Sequence, residues 1–284
     1  MKLTFAVASV TLLLCLAVQP AATEEIPAIP IVSLPYLEEA PVIDASLDDW
    51  RDLAFTDGVW DIDRLRHNAW YQPWRNRLTD HGSEARPEPR PEADLAARYF
   101  TAWDDDYLYL GAAVKDNVND IDDPAHEPSR WYFKDSICWF VEAPGDDTPE
   151  RFAQGDNGFC FVIDESQPPY GAWWRHGTAD SSYVEERLPD GAVDYTVIVD
   201  PAGNGSGDFL LEARVLMSAT FGVSDPDWKK PQVGDRLGLE IVHCDPDGGD
   251  YGGHFIMYGT GDDDETWARA TLSGPDQALS REVE

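Results

Sequence analysis

The stretch "ARYFTAWDDDYLYLGAAVKD", residues 97–116, consists of two apolar, aromatic-rich runs on either side of three consecutive aspartates. Each run has the length of a single β-strand. Aspartate is common in turns because its carboxylate accepts hydrogen bonds from the backbone that follows it. The pattern therefore predicts a β-hairpin with strands at 97–103 and 107–114. The acidic triplet is interpreted as the hairpin loop, and not as a metal site or a catalytic pair.

Strand candidates with similar lengths continue along the rest of the chain. Strong breakers separate them, such as Pro189-Asp190-Gly191 and Gly203-Asn204-Gly205, and no segment keeps a helical period over three turns. Many short strands at fairly regular spacing predict an all-β fold, a two-layer antiparallel β-sandwich of jelly-roll or immunoglobulin-like type with long irregular loops. The further candidates are 136–142, 159–164, 182–187, 192–199, 208–215, 237–244, 254–259 and 268–272.

The N-terminus has the organisation of a secretory signal peptide. A short positive start precedes an apolar run that ends near Val18 and is followed by small residues. The run is too short for a comfortable transmembrane helix, and Leu14 before Cys15 is too bulky for a lipoprotein signal. The chain is expected to be secreted, to the periplasm or the exterior. The predicted organisation is a signal peptide at 1–22, an extended leader at 23–35, one domain at 36–273 and a disordered tail at 274–284.

The charge of the chain restricts the partners it can bind. There are 21 Lys and Arg residues against 54 Asp and Glu residues, which gives a formal net charge of −33. So large a negative charge opposes the approach of nucleic acid, anionic lipid and sulfated polysaccharide. A neutral or cationic partner is expected, and no membrane insertion. The oligomeric state stays open.

Five segments in sequence order resemble the family 9 carbohydrate-binding modules and their wider β-sandwich relatives, which include DOMON-type domains. The first resembles the family's Pro-x-Ile-Asp-Gly and Leu-Asp-x-x-Trp opening, and the third resembles its Trp-x-x-Asp-Ser-Val-Glu strand. The resemblance runs over nearly all of 36–273. The segments are "PVIDASLDDW" (41–50), "AWDDDYLYLGAAVKDNV" (102–118), "WYFKDSICWFVE" (131–142), "DFLLEARVLMSA" (208–219) and "GDRLGLEIVHCDPD" (234–247).

This resemblance implies a function in sugar binding without catalysis. The best-understood members of the family hold a chain-end sugar between two tryptophans, with polar side chains around it, and calcium ions support their loops. The chain is therefore expected to recognise neutral glycans through aromatic platforms, as a non-enzymatic protein of carbohydrate catabolism.

The aromatic candidates lie in two segments. Trp131 and Tyr132 stand at or beside one of the family's sandwich tryptophans. Trp173 and Trp174 point in opposite directions if the chain is extended, so one of the pair is expected to stay exposed, with Arg175 as a hydrogen-bond donor beside it. Packing at the sheet edge or in the core is the alternative for each ring.

Two cysteines depart from the family pattern. Cys138 and Cys160 stand near the positions where the family's binding face carries a glutamate and an arginine. If their strands are neighbours, the two thiols can form a cross-strand disulfide, and two buried free thiols are the alternative. In either case the charged pair that grips sugar hydroxyls is missing here.

Structural calcium is expected in the acidic loops. Asp245, Asp247 and Asp250 offer closely spaced carboxylates among glycines, and oxygen ligands of this kind suit calcium. In so acidic a chain such a cluster also arises by chance. A second cluster consists of Asp116, Asp120, Asp122 and Asp123.

Three other functions compete with sugar binding. The chain could be a cell-envelope structural or interaction sandwich that has lost its sugar, or a haem-binding DOMON-like domain. An enzyme is the third, with Glu142 and Glu240 as acid and base. The available haem ligands are Met217, Met257, His243 and His254.

Overall fold

The computed structural model of the chain describes residues 31–50, 66–67, 95–120, 131–145, 153–164, 171–175, 184–246, 254–257 and 264–275. The predicted signal peptide, and all but the start of the predicted tail, lie outside these residues. The strands are β1 Ile31–Leu34, β2 Arg66–His67, β3 Leu95–Trp103, β4 Tyr107–Asp116, β5 Ser136–Glu142, β6 Asp156–Val162, β7 Gly171–Arg175, β8 Val184–Arg187, β9 Val193–Val199, β10 Phe209–Leu216, β11 Arg236–Cys244, β12 His254–Ile256 and β13 Ala268–Leu272; the helix α1 is Met217–Ser224.

The strands form two sheets. The larger sheet has the order β1-β13-β11-β5-β6-β7-β8, with β12 beside the second half of β11 and β2 beside β12. The smaller sheet has the order β3-β4-β10-β9. All described pairs are antiparallel except β1 with β13. The predicted all-β sandwich is confirmed.

The predicted hairpin at 97–116 is present as β3 and β4. The strands pair from Leu95–Asp116 up to Trp103–Leu108. Asp104 Oδ1 accepts the backbone N–H groups of Asp106 and Tyr107, each at 2.7 Å, and Tyr109 donates its hydroxyl to Oδ2 at 2.6 Å. The first aspartate of the triplet therefore holds the turn, as expected for an Asx-type loop.

The main core lies between the two sheets. The large sheet contributes Trp139 of β5 with Phe159 and Phe161 of β6, and the small sheet contributes Tyr99 and Phe209, all with at most 1% exposure. Large aromatic side chains account for much of the apolar area removed from water in such a core.

The opposite face of the large sheet is buried as well. Phe140, Trp174 and Val242 alternate with the core residues of their strands and form a second apolar cluster with Trp131 and Trp267. Because both faces are covered, every residue of β5 and β6 is buried, and these strands lack the alternation of polar and apolar residues that a one-sided sheet shows.

The start of the domain differs from the prediction. Ile31–Leu34, within the predicted leader at 23–35, pairs in parallel with β13, from Ile31–Arg269 to Leu34–Leu272. The sandwich therefore begins no later than Ile31 and not at residue 36. Pro30 and Pro35 bound this strand, and prolines at the ends of an edge strand cost no ladder hydrogen bonds.

The helix α1 follows β10 directly and has eight residues. Its Phe221 packs edge-on against Phe159 of β6, with ring centroids 5.8 Å apart. No helix in the described part of the chain is long and apolar enough to cross a bilayer.

Candidate functional site

Three aromatic side chains converge on the outer face of the large sheet. Trp131 and Tyr132 lie in a short 3-10 turn before β5, and Trp174 comes from β7. The ring centroids are 5.5 Å apart for Trp131 and Tyr132, 5.6 Å for Trp131 and Trp174, and 6.5 Å for Tyr132 and Trp174, all in edge-on geometry. We call these three residues the aromatic cluster.

The rings of the aromatic cluster differ in exposure. Trp131 and Trp174 are only 4% and 8% exposed, whereas Tyr132 is half-buried. The expectation that one of Trp173 and Trp174 stays exposed is therefore wrong, because the outer face of the large sheet is also covered. Within the cluster, Tyr132 is the ring that offers most surface to a ligand.

A carboxylate stands beside the aromatic cluster. Glu185 of β8 is the register partner of Trp174, and its side chain is exposed. Partial desolvation raises the pKa of the Glu185 carboxyl, and the neighbouring Trp174 indole opposes that shift. Glu185 could not be predicted from the sequence, because only the pairing of β7 with β8 reveals that it adjoins a tryptophan.

Trp173 and Arg175 lie away from the aromatic cluster, since alternate residues of β7 face opposite sides of the sheet. Trp173 is 3% exposed and donates its indole N–H to Asn157 Oδ1 at 3.0 Å. The Arg175 guanidinium lies 5.0 Å from the Trp173 ring centroid and forms a 3.1 Å ion pair with Glu186. The expected placement of Arg175 beside an exposed tryptophan is therefore wrong.

Cys138 and Cys160 are direct register partners in β5 and β6, with Cα atoms 3.9 Å apart, and are joined as a disulfide. Both are fully buried in the apolar cluster that contains Trp131 and Trp174. Cys244 is free and buried, and burial raises the pKa of its thiol well above the usual range. The sheet beneath the aromatic cluster is thus apolar at these two positions.

Three buried carboxylates meet at one end of the sandwich. Asp116 ends β4, Asp135 precedes β5 and Asp245 follows β11, and their nearest oxygens all lie within 4.8 Å of one another. The backbone N–H of Asp120 donates to Asp135, and that of Val118 donates to Asp116 at 3.1 Å. We call Asp116, Asp135 and Asp245 the acidic triad.

The acidic triad has the chemistry of a cation site. Burial raises the pKa of Asp135 well above its usual value, and the charges of Asp116 and Asp245 raise it further. Asp135 Oδ1 is buried and accepts no hydrogen bond in the described part of the chain. Converging carboxylate oxygens of this kind fit a hard cation such as calcium.

The triad joins parts of two predicted acidic clusters. Asp245 belongs to the first and Asp116 to the second, whereas Asp135 was in neither. Asp247 and Asp250 lie outside the described residues. Asp135 was overlooked because it is a single acid in front of a strand, without acidic neighbours.

The haem-ligand and catalytic candidates whose side chains the structure describes are buried. Glu142 and Glu240 are at most 1% exposed, and Glu142 groups with Asp156 and Asp264. The Nδ1 atom of His243 lies 2.7 Å from the Tyr99 hydroxyl. Met217 and Met257 pack in the main core, and the side chain of His254 is outside the described part.

The sequence profile of one protein family matches residues 67–275, more than half of the chain. The family is described as carbohydrate family 9 binding domain-like. The chain belongs to this family. The predicted resemblance to family 9 carbohydrate-binding modules is thereby confirmed. No curated protein sequence matches the chain significantly.

Solved structures share the fold of this family 9 binding domain. A family 9 module of Caldicellulosiruptor kristjanssonii in complex with cellotriose is 16% identical, with a TM-score of 0.51 over 86% of this chain and 93% of its own. The same organism's module in complex with glucose is also 16% identical, with a TM-score of 0.51 over 87% of this chain and 98% of its own. A candidate carbohydrate-binding protein of Bacteroides uniformis ATCC 8492 is 13% identical, with a TM-score of 0.52 over 86% of this chain and 100% of its own.

Proposed function

We propose that this protein is a secreted, non-catalytic carbohydrate-binding protein that recognises neutral glycans at the aromatic cluster and serves carbohydrate catabolism. The observation that carries the proposal is the convergence of Trp131, Tyr132 and Trp174 beside the carboxylate of Glu185. Flat aromatic surfaces lie against the C–H faces of a pyranose, and a carboxylate accepts hydrogen bonds from its hydroxyls.

The net charge of the chain and the sugars bound by related domains support a neutral glycan as the ligand. A chain with a net charge of −33 disfavours polyanionic glycans. The structures of C. kristjanssonii modules contain cellotriose and glucose, which makes neutral glucose-based oligosaccharides the first ligands to try. One half-buried ring with one carboxylate suits weak binding, in the micromolar to millimolar range, or roughly 4–8 kcal/mol.

Replacing Tyr132 by alanine is expected to weaken binding of cello-oligosaccharides about five- to 150-fold, because loss of one stacking ring costs about 1–3 kcal/mol. Isothermal titration calorimetry of wild type and variant measures the change. Tyr107→Ala is the matched control, since Tyr107 is also half-buried but lies at the hairpin of the small sheet. Equal affinity of Tyr132→Ala and wild type would contradict the placement of the site.

The burial of two indoles favours a second candidate. Trp131 and Trp174 expose little surface, as expected of a family member that kept the fold and lost the sugar to become a cell-envelope interaction domain. A panel of neutral glycans, including cello-, xylo- and manno-oligosaccharides, separates the two functions. If no glycan produces heat in calorimetry or slows the protein in affinity electrophoresis, the interaction domain is the favoured function.

Sugar affinity is expected to fall on acidification. Partial burial raises the pKa of Glu185, so its charged form is lost at a higher pH than in an ordinary glutamate, whose pKa is about 4.3. Binding that uses this carboxylate as an acceptor is complete above the raised pKa and weakens as the pH falls through it. Titrations between about pH 7 and pH 4 test this, and Glu185→Gln is expected to flatten the profile. An unchanged slope in Glu185→Gln would exclude Glu185 as the acceptor.

Export fits the cysteine chemistry, because disulfides persist in oxidising compartments. In denatured protein without reductant, iodoacetamide is expected to modify Cys244 and to leave Cys138 and Cys160 unmodified. After reduction all three react. Peptide mass spectrometry reads the result, and alkylation of Cys138 before reduction would contradict the bridge.

We also propose that the acidic triad holds a structural calcium ion, with Asp116, Asp135 and Asp245 as ligands. The ion would neutralise carboxylates that three separate strand ends bring together. Its function would be to fasten β4 of the small sheet to β5 and β11 of the large sheet.

A further inference from the structure

A cavity of about 460 Å³ lies beside the C-terminal end of β5. Trp131 and Tyr132 precede β5, whereas Ala143, Pro144 and Gly145 follow it and line the cavity. Met217, Phe221 and Leu237 of the cavity belong to the main core between the sheets, whereas the aromatic cluster lies on the outer face of the large sheet. The cavity shares no lining residue with the aromatic cluster.

The cavity has an apolar floor and an aromatic wall. Met217 and Phe221 of α1 and Leu237 of β11 form the floor. Trp228 is half-buried and lies over α1, where a Cβ atom added at Gly222 would be 3.3 Å from the indole. The glycine thus lets the indole sit close to the helix backbone.

The rim of the cavity carries both donors and acceptors. Asp227 and Asp235 supply carboxylates, and Lys229 and Arg236 supply cations. Neither Lys229 nor Arg236 makes an ion pair with another described residue. The neighbouring Lys230, in contrast, pairs with Asp106 at 3.1 Å.

The walls are fixed by backbone hydrogen bonds. Gly145 N–H donates to the Arg236 carbonyl at 2.9 Å, and Trp228 N–H donates to the Asp225 carbonyl at 3.1 Å. The Asp235 carboxylate accepts the Gln232 N–H at 2.8 Å and holds the turn before β11. Such a cavity is formed before any ligand arrives, which lowers the entropic cost of binding.

We propose that this cavity is a second saccharide site, which takes one or two units of a neutral glycan. The ring would stack on Trp228, and the rim charges would exchange hydrogen bonds with hydroxyls, which both donate and accept. Two acids and two bases leave the rim without net charge, which suits a neutral ligand. The volume lies in the range of small-molecule sites. This goes beyond the proposed function, because it assigns a site that the aromatic cluster does not need.

The test is NMR of the indole N–H resonances in the whole protein, with Trp228→Phe used to assign the Trp228 signal. The probes are the methyl glycosides of glucose, xylose and mannose, with methyl glucuronide as the anionic probe. The Trp228 signal is expected to shift saturably with at least one neutral glycoside, in wild type and in Tyr132→Ala. Lys229→Ala is expected to weaken this binding about five- to tenfold, and Lys230→Ala, its charge-matched neighbour, less than twofold.

Three outcomes would overturn the proposal. One is a Trp228 signal that no neutral glycoside moves, and another is a response to methyl glucuronide alone. The third is loss of the Trp228 response in Tyr132→Ala, because that would place a single site at the aromatic cluster. Absence of sugar binding at the aromatic cluster would be recognised separately, because calorimetry would then give the same affinity for Tyr132→Ala and wild type.

Discussion

Chelation with EDTA is expected to lower the melting temperature of the purified protein by about 5–10 °C. An ion present at about 100 times its dissociation constant stabilises the fold by about 2.7 kcal/mol, and its loss leaves the buried carboxylates of the acidic triad facing one another. Differential scanning calorimetry measures the shift, and elemental analysis counts the bound calcium.

Asp135→Asn separates calcium binding from general effects of EDTA. The variant removes one charge from the acidic triad, so we expect its melting temperature to be insensitive to EDTA. Asp190→Asn is the matched control, because Asp190 lies exposed in the turn before β9, and this variant should respond to EDTA like wild type. An unchanged melting temperature of wild type in EDTA would rule out a stabilising ion.

Replacing Glu212 by alanine is expected to lower the free energy of unfolding by about 2–4 kcal/mol. Glu212 is 1% exposed in β10, and its Oε2 accepts the N–H groups of Asp44 and Ala45, each at 2.9 Å. These bonds hold a segment with positive φ at Ala45 and Leu47, 60° and 52°, conformations that alanine and leucine adopt only at a cost. Without the carboxylate, the donors lose their acceptor and the segment loses its anchor.

Urea unfolding measures this loss. Glu212→Gln keeps an acceptor oxygen and should cost less than Glu212→Ala. Arg214→Ala controls for a change in the same strand, since the Arg214–Asp194 pair is solvent-exposed and its removal should cost less than about 1 kcal/mol. Equal stability of Glu212→Ala and Arg214→Ala would show that the segment does not depend on Glu212.

Strand positions could be predicted where turn-forming residues bound an apolar run of strand length. The hairpin around Asp104 was readable because turn formers stand between two strand-length apolar runs. The strand at Ile31–Leu34 was missed, since its pairing partner, β13, lies more than 230 residues away in the sequence. The burial of both faces of the large sheet was missed too, because a continuous apolar run does not show what covers each side.

The site was predictable in residue type but only partly in arrangement. Trp131, Tyr132 and Trp174 do come together on the outer face of the large sheet. Their exposure depends on what covers the outer face of the large sheet, and the contribution of Glu185 depends on strand register. The spacing of residues in the sequence predicts neither the exposure of the rings nor the strand register. The acidic triad likewise assembles from three strand ends that lie far apart along the chain.

Among the described strands, β8 stands at one edge of the large sheet. Three of its four residues, Glu185, Glu186 and Arg187, are charged and exposed. The outer side of an edge strand normally offers its backbone to other chains, and dense charge along the strand discourages such pairing. The charged edge would thereby help the domain to resist ordered aggregation at high concentration.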